Sequence, residues 1–253
     1  MCKQDTLINL LQIRKIREER GLKQMPLSLH LVFSGNPGTG KTTVARLLAK
    51  IYHQLGVLSK GHLVEVDRSG LVAGYVGHTA LKVQAVLQES LGGILFIDEA
   101  YSLTANKGEN DFGQEAIETL LKGMEDNRDN LIVIVAGYPD LMSEFLNSNP
   151  GLRSRFNKFI NFVDYTPEEL VAIFAGMCNE AGYCPNNECL TYVKYFFDNR
   201  YQHRDKNFAN ARDVRNFFEK AAMNQANRLA ANLKITDTEL TSLILDDVIE
   251  ISL

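Results

Sequence analysis

The chain has 253 residues, 45% of them hydrophobic and 23% charged, enough to bury a substantial core in one large domain, with or without a small appendage. No run of eighteen apolar residues occurs and the first twenty positions are rich in charge, so neither a membrane span nor secretion is supported and a cytoplasmic location is expected. A formal charge of −4 gives no general attraction to nucleic acid.

From Leu7 to Arg20, apolar Leu7, Leu10, Leu11, Ile13 and Ile16 recur at close intervals and predict an amphipathic helix ending near Gly21. Its basic residues are interrupted by Glu18 and Glu19, which reads as a solvated helix face rather than a DNA-binding patch. Strands and helices then alternate. LHLVFSG is a short apolar strand, TTVARLLAKIYHQLG a helix stopped by Gly56, and HLVEVDR a second strand. TALKVQAVLQESLGG is a helix, GILFIDEA a third strand, FGQEAIETLLKGMED a helix and LIVIVAGYPD a fourth strand. Nearly continuous apolar strands separated by helices describe a parallel sheet covered on both faces.

Beyond Thr166 the pattern changes. TPEELVAIFAGMCNEAGY, ECLTYVKYFFDNRYQHR, NARDVRNFFEKAAMNQANRLAA and TELTSLILDDVIEI all show helical spacing with no strand between them, which predicts an all-helical lid. Thr166, Pro167 and Glu169 open it as N-cap, first-position proline and capping-box acid. The expected domains are 1–164, α/β, and 165–253, the helical lid. Cys2, Cys178, Cys184 and Cys189 match no zinc-ligand spacing and read as reduced, buried thiols.

The chemistry concentrates in two places. GNPGTGKT fits G-x-x-x-x-G-K-[ST] and lies between a buried strand and a helix, the context in which that pattern cradles phosphate. Gly35, Asn36, Pro37, Gly38, Thr39, Gly40, Lys41, Thr42 and Thr43 form the candidate nucleotide loop. Its glycines let successive backbone N–H groups turn inward, and the helix beginning near Lys41 adds its positive end. Lys41 would reach the β- and γ-phosphates and the Thr42 hydroxyl would ligate Mg²⁺. In ILFIDEA, Asp98 and Glu99 stand at the carboxyl end of a buried strand, where open α/β sheets collect ligands. Asp98 is expected to hold the Mg²⁺ through water, and Glu99 to orient and polarise the attacking water.

With these motifs in this order and a helical segment behind them, the chain resembles the AAA+ ATPases, P-loop proteins with a helix-sandwiched parallel sheet and a small helical lid. HLVFSGNPGTGKTTVARLLAKIY, GYVGHTALKV, GGILFIDEAYSL, FGQEAIETLLKGME, AGYPD and NPGLRSRF narrow the resemblance to the CbxX/CfqX group. That group includes a red-type Rubisco activase, a sporulation protein and ATPase modules of type VII secretion systems. The resemblance implies a Mg²⁺-dependent ATPase that assembles as a homo-oligomer, expected to be a hexamer, and remodels a protein client as a chaperone-like motor. It implies an arginine finger at Arg155, with Arg153 as second choice, reaching the nucleotide of a neighbouring subunit. Arg212, in NARDVRN, takes the sensor 2 place. Tyr75, Val76 and Gly77 stand where the group carries a client-gripping pore loop.

Two features depart from the family pattern. AGYPD leaves Gly137 or Tyr138 where many AAA+ proteins have a polar sensor 1, so that role is unassigned. The chain also begins almost inside the first helix, without the preceding segment that frames adenine, so Met1 reads as an internal start. Two other readings compete: a nucleotide-gated scaffold or assembly factor with little turnover, and a DNA-associated AAA+ loader. Glu99, Arg153 and Arg155 weigh against the first, and the absence of a basic stripe against the second.

Overall fold

The computed structural model describes residues 13, 16, 17, 20–22, 28–75, 77–105, 112–205, 208–230 and 234–252. Most of the helix expected from Leu7 to Arg20 lies outside these residues, as do Cys2 and Val76. Two compact units result. One comprises Met1–Gly35 and Lys41–Phe162; the other comprises Asn36–Gly40 and Val163–Leu253.

In the first unit a five-stranded sheet runs in the order β2-β3-β4-β1-β5, with every neighbouring pair parallel. The strands are β1 (Leu31–Gly35), β2 (Leu63–Val66), β3 (Ile94–Ile97), β4 (Ile132–Gly137) and β5 (Lys158–Phe162). β3 and β4 are buried along their whole length because both faces of the sheet are covered. Side chains alternate between two cores. Val32, Leu95, Ile97, Val133 and Val135 join a cluster with helices α3 (His78–Ser90) and α4 (Gly113–Asp126) through Val83, Leu87, Ile117 and Leu120. Leu31, Phe33, Ile94, Phe96, Ile132 and Ile134 face the other way, onto Ala45, Ala49 and Tyr52 of α1 (Lys41–Gln54).

β5 was not foreseen from the sequence. Its residues are half-buried or exposed, Phe159 and Ile160 among them, and only its pairing with β1 makes it a strand. An edge strand of this kind carries no alternation for a hydrophobic pattern to reveal. Between β4 and β5 lie α5 (Pro139–Asn147) and α6 (Pro150–Arg155), and the short α2 (Arg68–Leu71) follows β2.

The second unit is helical around its own core. α7 (Pro167–Glu180), α8 (Asn187–Gln202) and α9 (Ala211–Ala230) bury Phe174, Val193, Phe197 and Phe217. The Thr166 hydroxyl accepts from the Glu169 amide while the Glu169 carboxylate accepts from the Thr166 amide, the full capping box. The last apolar run is not one helix. It divides into α10 (Asp237–Thr241), β7 (Ser242–Leu243) and a 3-10 turn at Leu245–Asp247. β7 pairs with β6 (Cys184–Pro185), a two-residue parallel ladder inside the otherwise helical unit. Cys178 and Cys189 are buried free thiols, as expected, whereas Cys184 is exposed. Burial pushes the Cys178 and Cys189 thiols up to about 12 and about 11 respectively, so both stay protonated and unreactive at neutral pH.

Candidate functional site

The parallel register sets where the first unit can gather chemistry. Val32 pairs with Val135, and Val135 in turn with Ile97, so β1, β4 and β3 end together at one edge of the sheet. Gly35 ends β1 there, with Lys41 and Thr42 opening the helix that follows, and Asp98 and Glu99 leave β3 at the same edge. β4 alone separates the two strands, a distance of about 10 Å at ordinary strand spacing.

Helix α1 has no acidic residue in its first turn. Its uncancelled N-terminal amides, beside an ammonium and two hydroxyls, suit an anion. The Lys41 ammonium donates to the Gly35 carbonyl at 2.9 Å, which folds the side chain back over the loop it follows. Gly35 has no room for a side chain, since a Cβ there would strike the Phe162 carbonyl of β5. The Thr42 hydroxyl donates to Glu65 Oε1 at 3.3 Å, a partner that the sequence reading did not identify. Thr43 is exposed.

Asp98 is half-buried and its Oδ1 accepts from the Glu99 amide at 3.0 Å. Glu99 is exposed and holds a left-handed backbone conformation, φ 48°. That conformation is uncommon for a residue with a side chain. Here it turns the chain from β3 into the 3-10 turn at Ala100–Thr104. Thr42 and Asp98 supply hard oxygen donors, the type Mg²⁺ prefers, and Mg²⁺ is ordinarily held by only one or two protein groups beside phosphate and water.

Tyr101 was also missed. Burial first, and then the Glu99 charge, push its phenol up to about 12, so it remains a neutral donor beside the acidic pair. Its ring lies against the Cα of Gly137, leaving no room for a side chain there, and 6.1 Å from the ring of Tyr138. An aromatic pair thus flanks Gly137 at the end of β4.

At the opposite edge of the sheet lie Ser28 and His30, just before β1, and Arg155, just before β5. Ser28 Oγ donates to the Arg155 carbonyl at 3.0 Å. The Arg155 guanidinium meets Glu125 Oε2 at 3.4 Å and is about three-quarters buried. Arg153 is exposed and donates to Asn147 Oδ1 at 2.8 Å. A cavity of about 250 Å³ lined by Ser28, His30, Glu125, Arg128 and Arg155 opens beside them. Elsewhere in the unit, Tyr75 is 77% exposed between α2 and α3, and Gly77 caps α3 with φ 77°.

In the second unit, Asn36–Gly40 are gripped by residues near the start of α9. Asn210, buried and left-handed at φ 53°, donates to the Pro37 carbonyl at 3.2 Å and to Asp164 Oδ1 at 2.9 Å, and accepts from the Tyr165 amide at 2.9 Å. Asp164 Oδ1 also accepts from Asn36 at 2.9 Å. The Ala211 amide donates to the Gly38 carbonyl, and Tyr165 OH to that of Thr39. A Cβ on Gly38 would run into the Ala209 carbonyl, so packing requires this glycine as much as any ligand does. Gly40, φ 87°, is the second left-handed glycine of the loop. Arg212 follows in the first turn of α9 with its side chain exposed.

Comparison with known proteins identifies the family. Residues 31–163 match the AAA family, ATPases associated with various cellular activities, and residues 166–252 match the AAA lid domain. The chloroplastic ribulose bisphosphate carboxylase/oxygenase activase of Cyanidioschyzon merolae is 45% identical over 243 residues, 95% of this chain and 82% of that protein. Protein CbbX of Cereibacter sphaeroides is 49% identical over 220 residues, 87% of this chain and 71% of that one. Chromosomal CbxX of Cupriavidus necator is 46% identical over 242 residues, 95% and 76% of the two chains. The ADP-bound AAA domain of FIGL-1 superposes with a TM-score of 0.64 at 18% identity, covering 98% of this chain and 80% of that one. A RuvB point mutant of Thermotoga maritima gives 0.56 at 20% identity, covering 95% and 69%. These two likenesses concern the fold alone. Identity near one half over most of the chain, joined to a family match that spans both sheet and lid, makes this protein a AAA ATPase of the CbbX, CbxX and CfxQ group.

Proposed function

We propose that the protein is a Mg²⁺-dependent ATPase that acts as a closed ring, a hexamer in our reading, and converts hydrolysis into remodelling of a protein client. The observation that carries the reading is the separation of Arg155 from its own chain's acidic pair. β1 spans Leu31–Gly35, about 13 Å at strand rise, and Arg155 lies by the residues before it while Asp98 and Glu99 lie at the far end. An arginine on that edge suits the nucleotide of a neighbour rather than its own.

In this mechanism Lys41 and the amides of residues 36–40 bind the phosphates, and Thr42 and Asp98 hold the cation. Mg²⁺ bound there supplies neutralisation of phosphate charge. Glu99 accepts a proton from the attacking water as it aligns it. Arg155, or the more exposed Arg153, stabilises negative charge developing on the neighbour's terminal phosphate. Arg212 takes the sensor 2 role. The exposed Tyr75 ring, with Val76 and Gly77, grips peptide with little demand on sequence. A relative named as a carboxylase activase supports a protein as the client. Among the described residues no helix is long and apolar enough to cross a membrane.

Glu99→Gln is the direct test. It should bind ATP with affinity within a few-fold of the parent, measured by a fluorescent ATP analogue, while steady-state phosphate release falls about 100-fold or more. Undiminished turnover would remove Glu99 from the water-activating role.

A further inference from the structure

β2 is an edge strand, and its side chains alternate between the two faces of the sheet. Val64 and Val66 enter the core shared with α3 and α4, while Leu63 packs against the core beneath α1. Glu65 therefore belongs on the α1 face, at the place where continued alternation would put another apolar residue. Each of its carboxylate oxygens has a partner there. Oε1 accepts the Thr42 hydroxyl at 3.3 Å and Oε2 meets the Arg46 guanidinium at 3.1 Å. Thr42 and Arg46 are four residues apart on α1 and so stand one above the other, both within reach of a single carboxylate.

Stability is a weak reason for this bridge. The Arg46 and Glu65 side chains are 63% and 40% exposed, and ion pairs of that kind contribute little. Direction is a better one. A hydroxyl has one hydrogen and two lone pairs. While the carboxylate takes the hydrogen, the Thr42 oxygen can present only lone pairs to the phosphate side, the orientation that a cation needs. Outer groups that fix a metal-binding side chain in this way tune affinity for the metal.

We infer that Glu65 is a positioning residue for the divalent cation of the nucleotide site, holding the Thr42 hydroxyl in its cation-binding orientation, with Arg46 steering the carboxylate and offsetting its charge. The inference rests on the nucleotide-site reading above. Glu65 touches neither phosphate nor attacking water in this role, so its signature is the coupling between cation and nucleotide, not affinity for nucleotide alone.

Titration of the full-length protein with a fluorescent ATP analogue, in EDTA and at saturating Mg²⁺, measures that coupling as the ratio of the two dissociation constants. Glu65→Ala should lower the ratio by about 10-fold, the low end for outer groups because this one is partly exposed, and leave the EDTA value within about twofold. Glu65→Gln keeps an acceptor oxygen without the charge and should recover more than half of the loss on a logarithmic scale. An unchanged ratio in Glu65→Ala overturns the inference. So does an equal loss of affinity with and without Mg²⁺, the mark of a merely structural role, and so does a Glu65→Gln variant no better than Glu65→Ala, which would assign the effect to charge. Absence of analogue binding by the parent protein in both conditions would instead overturn the nucleotide-site reading.

Discussion

His30 shows how one side chain can tie stability to pH. It is buried, and its Nδ1 accepts from the Val133 amide at 3.0 Å, which requires the neutral ring. Burial, then the charges of Lys158 and Arg155, lower its pKa from 6.5 to about 4. As pH falls from 6.5, the unfolded chain takes up a proton at this position before the folded chain does, so the folded state loses stability until the folded pKa is reached. Between pH 7 and pH 5 this group should cost about 2 kcal/mol. Urea unfolding at the two pH values measures it, and His30→Asn should flatten the difference by most of that amount. Equal pH slopes in parent and variant would show that the imidazole is not held neutral. The residue was not singled out in the sequence, where a histidine before an apolar strand carries no sign of its neighbours.

At the level of elements, the end of the chain shows why periodicity can mislead. TELTSLILDDVIEI has helical spacing, and its Leu243, Val248 and Ile251 are indeed buried in the lid core. The backbone is nevertheless satisfied in another way. The Gln225 side-chain amide donates to the carbonyls of Glu239, Leu240 and Ser242, and Asp247 accepts from the Ile244 amide. Asp247 is also clamped by Arg228 through two bonds of 2.8 and 2.9 Å. Long-range polar partners thus replace the helical ladder that the pattern predicted. Because Asp247 is 1% exposed and Arg228 would be left without its partner, Asp247→Ala should destabilise the protein by about 3 kcal/mol. Chemical denaturation followed by circular dichroism tests this, and a change below about 1 kcal/mol would show that the clamp is dispensable.

For the whole molecule, the proposed ring makes each active site a joint product of two chains. Glu99→Gln lacks the water-activating carboxylate but keeps its arginines, while Arg155→Ala keeps the carboxylate and lacks the finger. Each should be nearly inactive alone. Mixed in equal amounts, they should regain activity at about a quarter of the sites, as random neighbours in a ring would allow. The same mixture with Arg153→Ala identifies which arginine reaches across. No recovery with either arginine variant, with assembly intact, would restrict catalysis to one chain.

The sequence by itself determined the phosphate loop, the acidic strand end, the alternation of strands and helices and the lid's capping box, because each depends on residues adjacent in the chain. A left-handed glycine, a lysine at a helix start or a threonine N-cap acts within a few bonds of its neighbours. Only the tertiary structure decided that Glu65 meets Thr42, that Tyr101 closes over Gly137, that an exposed edge segment becomes β5, and that Asn210 holds the Pro37 carbonyl. Those contacts join residues 23 to 173 positions apart. Hydrogen bonding and close packing select their partners in space, where order along the chain leaves no local trace.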